Sequence, residues 1–97
     1  MKLNKIAKEV HENAKAKGWW DEKRNIPELL CLIHSEVSEA LEAYRKDDHE
    51  NFREELADIL IRVLDLACSE NIDIELEVEK KHNFNKTRPF RHGGKRC

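Results

Sequence analysis

Between Ile26 and Ser69 one pattern occurs twice: apolar residues recur three or four positions apart, and the run is broken once, by Arg45-Lys46-Asp47-Asp48-His49. Such spacing places the apolar side chains on one face of a helix. The polar break has the composition of a helix end, a turn and a new N-cap. The stretch therefore reads as an antiparallel helical hairpin. Its first arm starts at Asn25-Ile26-Pro27-Glu28, with an Asn able to cap, a Pro tolerated in the first turn and an acid three residues after the Asn. That arm runs to about Lys46. Asp47 or Asp48 caps the next, which continues through Phe52, Leu56, Ile59, Leu60, Val63, Leu64 and Ala67 to about Ser69.

Shorter helices flank the hairpin. Leu3, Ile6, Ala7, Val10 and Ala14 form an amphipathic stripe over residues 2–17, and Gly18 is a natural stop. Asn71 is a suitable end for the third helix and Asp73 a suitable cap for a fourth through Ile74, Val78 and Lys81. Three Gly, two Pro and no alternating apolar and polar run argue against a sheet. The expected fold is all-α, with one helical domain over residues 1–83 and an irregular basic tail over 84–97.

At 97 residues a single core is modest, and oligomerisation often supplies the missing buried surface. A four-helix-bundle type core completed by a second copy, in a dimer or tetramer, is the expectation. Cys31, Cys68 and Cys97 are odd in number and lack metal-type spacing, as expected of reduced thiols in a cytoplasmic protein. No apolar segment approaches the length needed to cross a bilayer, so no membrane partner is expected. Charge is unevenly spread: residues 80–97 hold seven of the 18 Lys and Arg and none of the 20 acids. A basic tail on an acidic body calls for an anionic partner.

The hairpin carries two acidic motifs, Glu36-Val37-Ser38-Glu39 and Glu55-Leu56-Ala57-Asp58. On a wheel at about 100° per residue, Glu36 falls inside the apolar arc formed by Leu29, Leu32, Ile33, Val37, Ala40 and Tyr44. An ordinary surface glutamate would not sit there. Glu39 and Glu55 lie at the arcs' margins, and Asp58, Arg62 and Asp65 lie further round the same side of the third helix. In a hairpin centred on Asp47, Glu36 comes level with Asp58 and Glu39 with Glu55. Four carboxylates in one short section would repel and would be costly to desolvate without a cation. An all-oxygen donor set favours Mg²⁺, with Mn²⁺ as a substitute, and Mg²⁺ recruits substrate phosphates as further ligands. The bland alternative is a solvated acidic face with basic partners one turn away.

The run from Leu32 to Ala43, followed by Glu55-Leu56-Ala57-Asp58-Ile59-Leu60-Ile61-Arg62, resembles the MazG-like branch of the all-α nucleoside triphosphate pyrophosphohydrolases. Lys81, Asn85, Arg88, Pro89, His92, Gly93, Gly94 and Lys95 resemble that family's closing segment, and the likeness reaches back to His11 and Gly18-Trp19-Trp20-Asp21. The resemblance implies hydrolysis of a nucleoside triphosphate, often a deoxynucleotide, to the monophosphate and pyrophosphate, in nucleotide-pool housekeeping. It implies Glu36, Glu39, Glu55 and Asp58 as Mg²⁺ ligands, one of them also orienting or deprotonating the attacking water. Lys81, Asn85 and Arg88 would contact phosphates, with Lys80 the adjacent alternative to Lys81. Trp19 or Trp20 would stack on the base, unless the pair closes the end of the bundle; Trp20 is the substrate-binding expectation. His34 reads as a packing or hydrogen-bonding residue, and His92 falls in the tail. Ile61, opposite the core arc of its helix, fits a protomer interface.

The competing reading is a non-catalytic helical interaction or nucleotide-binding module with a basic tail. Seven positive residues with Phe84 and Phe90 among them could contact nucleic acid, but a short tail interspersed with Gly is usually an accessory.

Overall fold

A computed structural model describes residues 2–90. Among them the chain forms four helices and no strand: α1 Leu3–Ala16, α2 Ile26–Arg45, α3 His49–Ser69 and α4 Ile74–Lys86. No helix among the described residues is long and apolar enough to cross a membrane.

Local chemistry sets the boundaries. The side chains of Asn25, Asp48 and Asp73 accept hydrogen bonds from the backbone N–H of Glu28, Asn51 and Leu76, so each caps the helix that follows it. The first three helices end alike. Gly18, Asp47 and Asn71 take the left-handed conformation, with φ of 84°, 56° and 56°. The next residue's N–H then reaches back to Ala14, Ala43 and Ala67, at 3.0, 3.0 and 2.9 Å. This double closure satisfies carbonyls that a helix end would otherwise leave unpaired. At Gly18 a Cβ would also crowd the Asp21 side chain, meeting Oδ2 at 3.1 Å. Asp47 is thus the stop of α2, and Asp48 the cap of α3.

α3 is the centre of the molecule. α1 and α2 each pack along it without touching one another, while α4 touches only α1 and α3. Asn4 links the first turns of α1 and α4: its Nδ2 donates to Asp73 Oδ1 at 2.7 Å and its Oδ1 accepts from Glu75 N at 3.1 Å. Those contacts with Asn4, followed by the Leu76 N–H, hold the Asp73 carboxyl below its ordinary pKa. Across the hairpin, Tyr44 and Phe52 stand with ring centroids 6.0 Å apart, and Arg62 meets Glu36.

The core is thin. Its buried apolar residues are Ala7, Leu29, Ala40, Ala43, Leu64 and Ala67, and α4 buries none. Leu30, Val37, Leu41 and Tyr44 of α2 and Leu56 and Leu60 of α3 are exposed instead. The radius of gyration, 15.9 Å, exceeds the about 13 Å of a compact domain of this size.

Two expectations need correction. Val37, Tyr44 and Leu56, placed on core arcs, are exposed, because the apolar arcs of α2 and α3 extend beyond the surface their neighbours cover. Ile61 stays 45% exposed at the rim of a cavity shared with α1. Helical structure continues to Lys86, three residues past the expected boundary at 83. Nothing from His82 to Lys86 breaks a helix, and the break comes where Pro89 disfavours a helical Arg88.

Candidate functional site

Glu36 enters the interior because its position falls among Leu29, Ala40 and Ala43 on the buried face of α2. Glu55 enters from α3 in the same way, so each helix sends one carboxylate into the seam. Together with the exposed Glu39 they form a cluster in which one oxygen from each lies within 4.8 Å of the others. Three of the four motif acids therefore converge. Asp58 stands outside that set and lines the cavity on the other side of Glu36. Across the hairpin Arg62 reaches Glu36 and Phe52 reaches Tyr44, while Glu36 and Asp58 both line the larger cavity.

The three carboxylates are not equivalent. Burial works against ionisation of Glu36, but the hydrogen bond from Arg62 Nε, 2.8 Å from Oε1, and the neighbouring Glu55 and Glu39 carboxyls outweigh it, so its pKa lies below the ordinary value. Glu55 goes the other way. The Glu36 carboxyl, then burial, then Glu39 push it from 4.5 up to about 7. Among the described residues, Glu55 Oε2 is the one buried side-chain oxygen or nitrogen without a hydrogen-bond partner. A divalent cation fits these residues: the donors are all oxygens, an orphaned oxygen is available, and the repulsion calls for positive charge.

Beside the cluster, a cavity of about 660 Å³ opens along α1 and α3, walled by Asn13, Trp19, Glu36, Asp58, Arg62 and Asp65 among others. That volume lies in the range of small-molecule sites. On the other side Glu39 and Glu55 line a second hollow of about 400 Å³ near the hairpin turn. The acids thus stand between two recesses.

The adjacent tryptophans divide their roles. Trp19 is 53% exposed and faces the larger cavity, with the Arg62 guanidinium 5.6 Å from its ring centroid. Trp20 is half-buried. Its Nε1 donates to both oxygens of Asp65, at 3.1 and 3.2 Å, and Arg24 covers its ring. His11 meets the same Asp65 through Nδ1 at 2.7 Å and stands edge-on to Trp20. Since a carboxylate only accepts, Nδ1–H is the donor.

Lys81, Asn85 and Arg88 are exposed on or just after α4. Lys81 Nζ and the Arg88 guanidinium lie 5.0 and 5.9 Å from the Phe84 ring centroid, whereas Lys80 pairs with Glu77 one turn away. None of them lines either recess beside the acids, and α4 makes no contact with α2. His34 is exposed on α2, and His92 lies outside the described residues.

Arg62 and Asp65 line the cavity, and His11 fastens Asp65; from sequence these three had no role, and Trp20 had a substrate contact and not the bond to Asp65 that it makes. The available signal was a basic residue at Arg62 on the acidic side of its helix.

The family model described as the MazG nucleotide pyrophosphohydrolase domain matches residues 24–92, which covers α2, α3, α4 and the segment beyond. Comparison with curated proteins gives no match, and comparison with solved structures gives none either.

Proposed function

Because the chain belongs to the MazG nucleotide pyrophosphohydrolase domain family, we propose that it hydrolyses a nucleoside triphosphate, often a deoxynucleotide, to the monophosphate and pyrophosphate. The observation that supports this best is the convergence of Glu36, Glu39 and Glu55, with the unpartnered Oε2 of Glu55, next to a cavity of about 660 Å³ walled by Trp19.

Glu36, Glu39 and Glu55 would hold Mg²⁺, with Asp58 adjoining from the cavity wall. Bound there, Mg²⁺ or Mn²⁺ supplies charge neutralisation for the triphosphate and acidity for a water. One of these acids would also orient or deprotonate the attacking water. Trp19 would lie against the base or sugar. Trp20, fastened to Asp65, would hold the wall behind it.

Lys81, Asn85 and Arg88 would bind phosphate oxygens. As α4 does not reach the acids of its own chain, these residues would serve a neighbouring protomer. The uncovered apolar side chains of α2 and α3 support such a homo-oligomer, a dimer or tetramer, and light scattering on the purified protein would read its mass. Truncation after Glu79 should then abolish hydrolysis while leaving the α2–α3 hairpin folded. Nucleotide-pool housekeeping in the cytoplasm is the setting this activity suits.

The direct test is a panel of canonical and modified nucleoside triphosphates with Mg²⁺, read as pyrophosphate against orthophosphate. Pyrophosphate should be released. If no nucleotide is hydrolysed and Glu39→Gln leaves metal binding unchanged, the reading fails.

A further inference from the structure

Arg62 touches both the acidic cluster and the exposed tryptophan. Its Nε donates to Glu36 Oε1 at 2.8 Å, and its guanidinium lies 5.6 Å from the centre of the Trp19 ring. Both partners in the ion pair are shielded, the side chains being 24% exposed for Arg62 and 11% for Glu36. A planar guanidinium held at two points restricts what it touches in a way that a flexible ammonium cannot.

The geometry of Glu36 gives this contact a consequence. The hydrogen bond from Arg62 to Oε1 fixes the plane of the Glu36 carboxylate, and with it how its oxygens are presented to Glu39, Glu55 and any ion among them. Without Arg62 the Glu36 side chain could rotate toward water or hydrogen-bond elsewhere, as a half-freed glutamate at a helix seam has several rotamers open to it. Partners that orient a ligand in this way are typically worth about 10- to 100-fold in metal affinity. On the other side, Arg62 over the ring favours one placement of Trp19 against the cavity.

We propose that Arg62 is a positioning residue of this site: it fixes the Glu36 carboxylate for cation binding and, through the same guanidinium, holds Trp19 at the cavity wall. The proposal rests on the metal-site reading of the acidic cluster. It adds a residue whose charge has the same sign as that of the ion it serves, so it acts through Glu36 and does not itself bind the cation.

The test is Mn²⁺ binding to the full chain without nucleotide, followed by the electron paramagnetic resonance of the free ion, for wild type, Arg62→Met and Arg62→Lys. Tryptophan emission of the same proteins is recorded in a Trp20→Phe background, where Trp19 is the sole indole. Arg62→Met should weaken Mn²⁺ binding at least tenfold and shift Trp19 emission. Arg62→Lys, which keeps the charge but lacks the fork, should recover less than half of the loss on a logarithmic scale. Arg62→Lys also serves as the primary variant if Arg62→Met does not fold. Unchanged affinity in a folded Arg62→Met overturns the proposal. So does tighter binding, which would make Arg62 a competitor of the ion, and so does full rescue by Lys, which would reduce its role to charge. If wild type itself binds no Mn²⁺, the metal-site reading fails and this one with it. If wild type binds and the variants match it, only this one fails.

Discussion

Two carboxylates on α3, ten residues apart, face opposite circumstances. Asp65 has both oxygens engaged, by Trp20 Nε1 at 3.1 and 3.2 Å and by His11 Nδ1 at 2.7 Å. Glu55 is equally enclosed, but its neighbours are two more carboxylates, one of its oxygens has no partner, and its pKa is pushed up to about 7. Donors surround the first and acceptors the second. A buried acid met by donors is part of the scaffold, whereas one met by other acids is complete only when something positive arrives.

The sharpest way to break that contrast is to neutralise each acid in turn. Glu55→Gln should lower pyrophosphate release by about 100-fold or more, on the scale of losing a group that holds an ion. Its metal-free melting temperature should hold or rise, because the substitution removes repulsion and no satisfied bond. Steady-state kinetics and thermal melts on one preparation check both halves. A melt that drops sharply would place Glu55 with Asp65 as scaffold.

Asp65→Ala should do the reverse. It leaves two half-buried donors without an acceptor, a loss of about 2–4 kcal/mol of stability, while Mn²⁺ affinity stays within about threefold of wild type. Urea unfolding gives the first number and Mn²⁺ titration the second. Trp20→Phe is a milder form of the same test: removing one N–H from a charged acceptor should cost about 1–2 kcal/mol. Trp19→Phe should cost little stability and raise KM for the nucleotide, because Trp19 faces the cavity and donates no hydrogen bond to Asp65.

This division also explains what was legible in the sequence. The caps Asn25, Asp48 and Asp73 each act within three residues, so composition alone identifies the first and last and narrows the other to Asp47 or Asp48. Glu36 was legible because a helical wheel reports which face is apolar, and an acid on that face is anomalous. A wheel does not report which neighbour covers the face, so the exposure of Val37, Tyr44 and Leu56 could not be read from it. The Arg62–Glu36 bond spans 26 positions, and the His11–Asp65 and Trp20–Asp65 bonds span 54 and 45. Those pairings depend on how α1 and α2 settle against α3, which local pattern leaves open. Asp58 shows the same limit. Equal distance from the turn does not report which way a side chain faces, so Asp58 lines the cavity while Glu36, Glu39 and Glu55 converge.

The smallest effect, and the one that sets Glu55 against its neighbour Glu36, is the pH dependence of metal-free stability. The folded state holds the Glu55 proton up to about pH 7, whereas the unfolded chain releases it near 4.5. Between those values the native protein binds more protons than the unfolded one, so stability falls as pH rises. The contribution of Glu55 is fully present below about 4.5 and gone once pH passes 7. Glu36, with its pKa lowered, has the opposite sign: its contribution is present above 4.5 and is lost as pH falls through its folded value. Metal-free melts should therefore decline by a few degrees from pH 5 to pH 8, and Glu55→Gln should flatten that decline. Mg²⁺ binds the deprotonated cluster, so its stabilising effect should grow over the same interval and oppose the decline. A metal-free melting temperature that stays level from pH 5 to pH 8, or a slope that survives in Glu55→Gln, would mean that the repulsion among Glu36, Glu39 and Glu55 is already relieved within the chain, leaving no charge for a cation to answer.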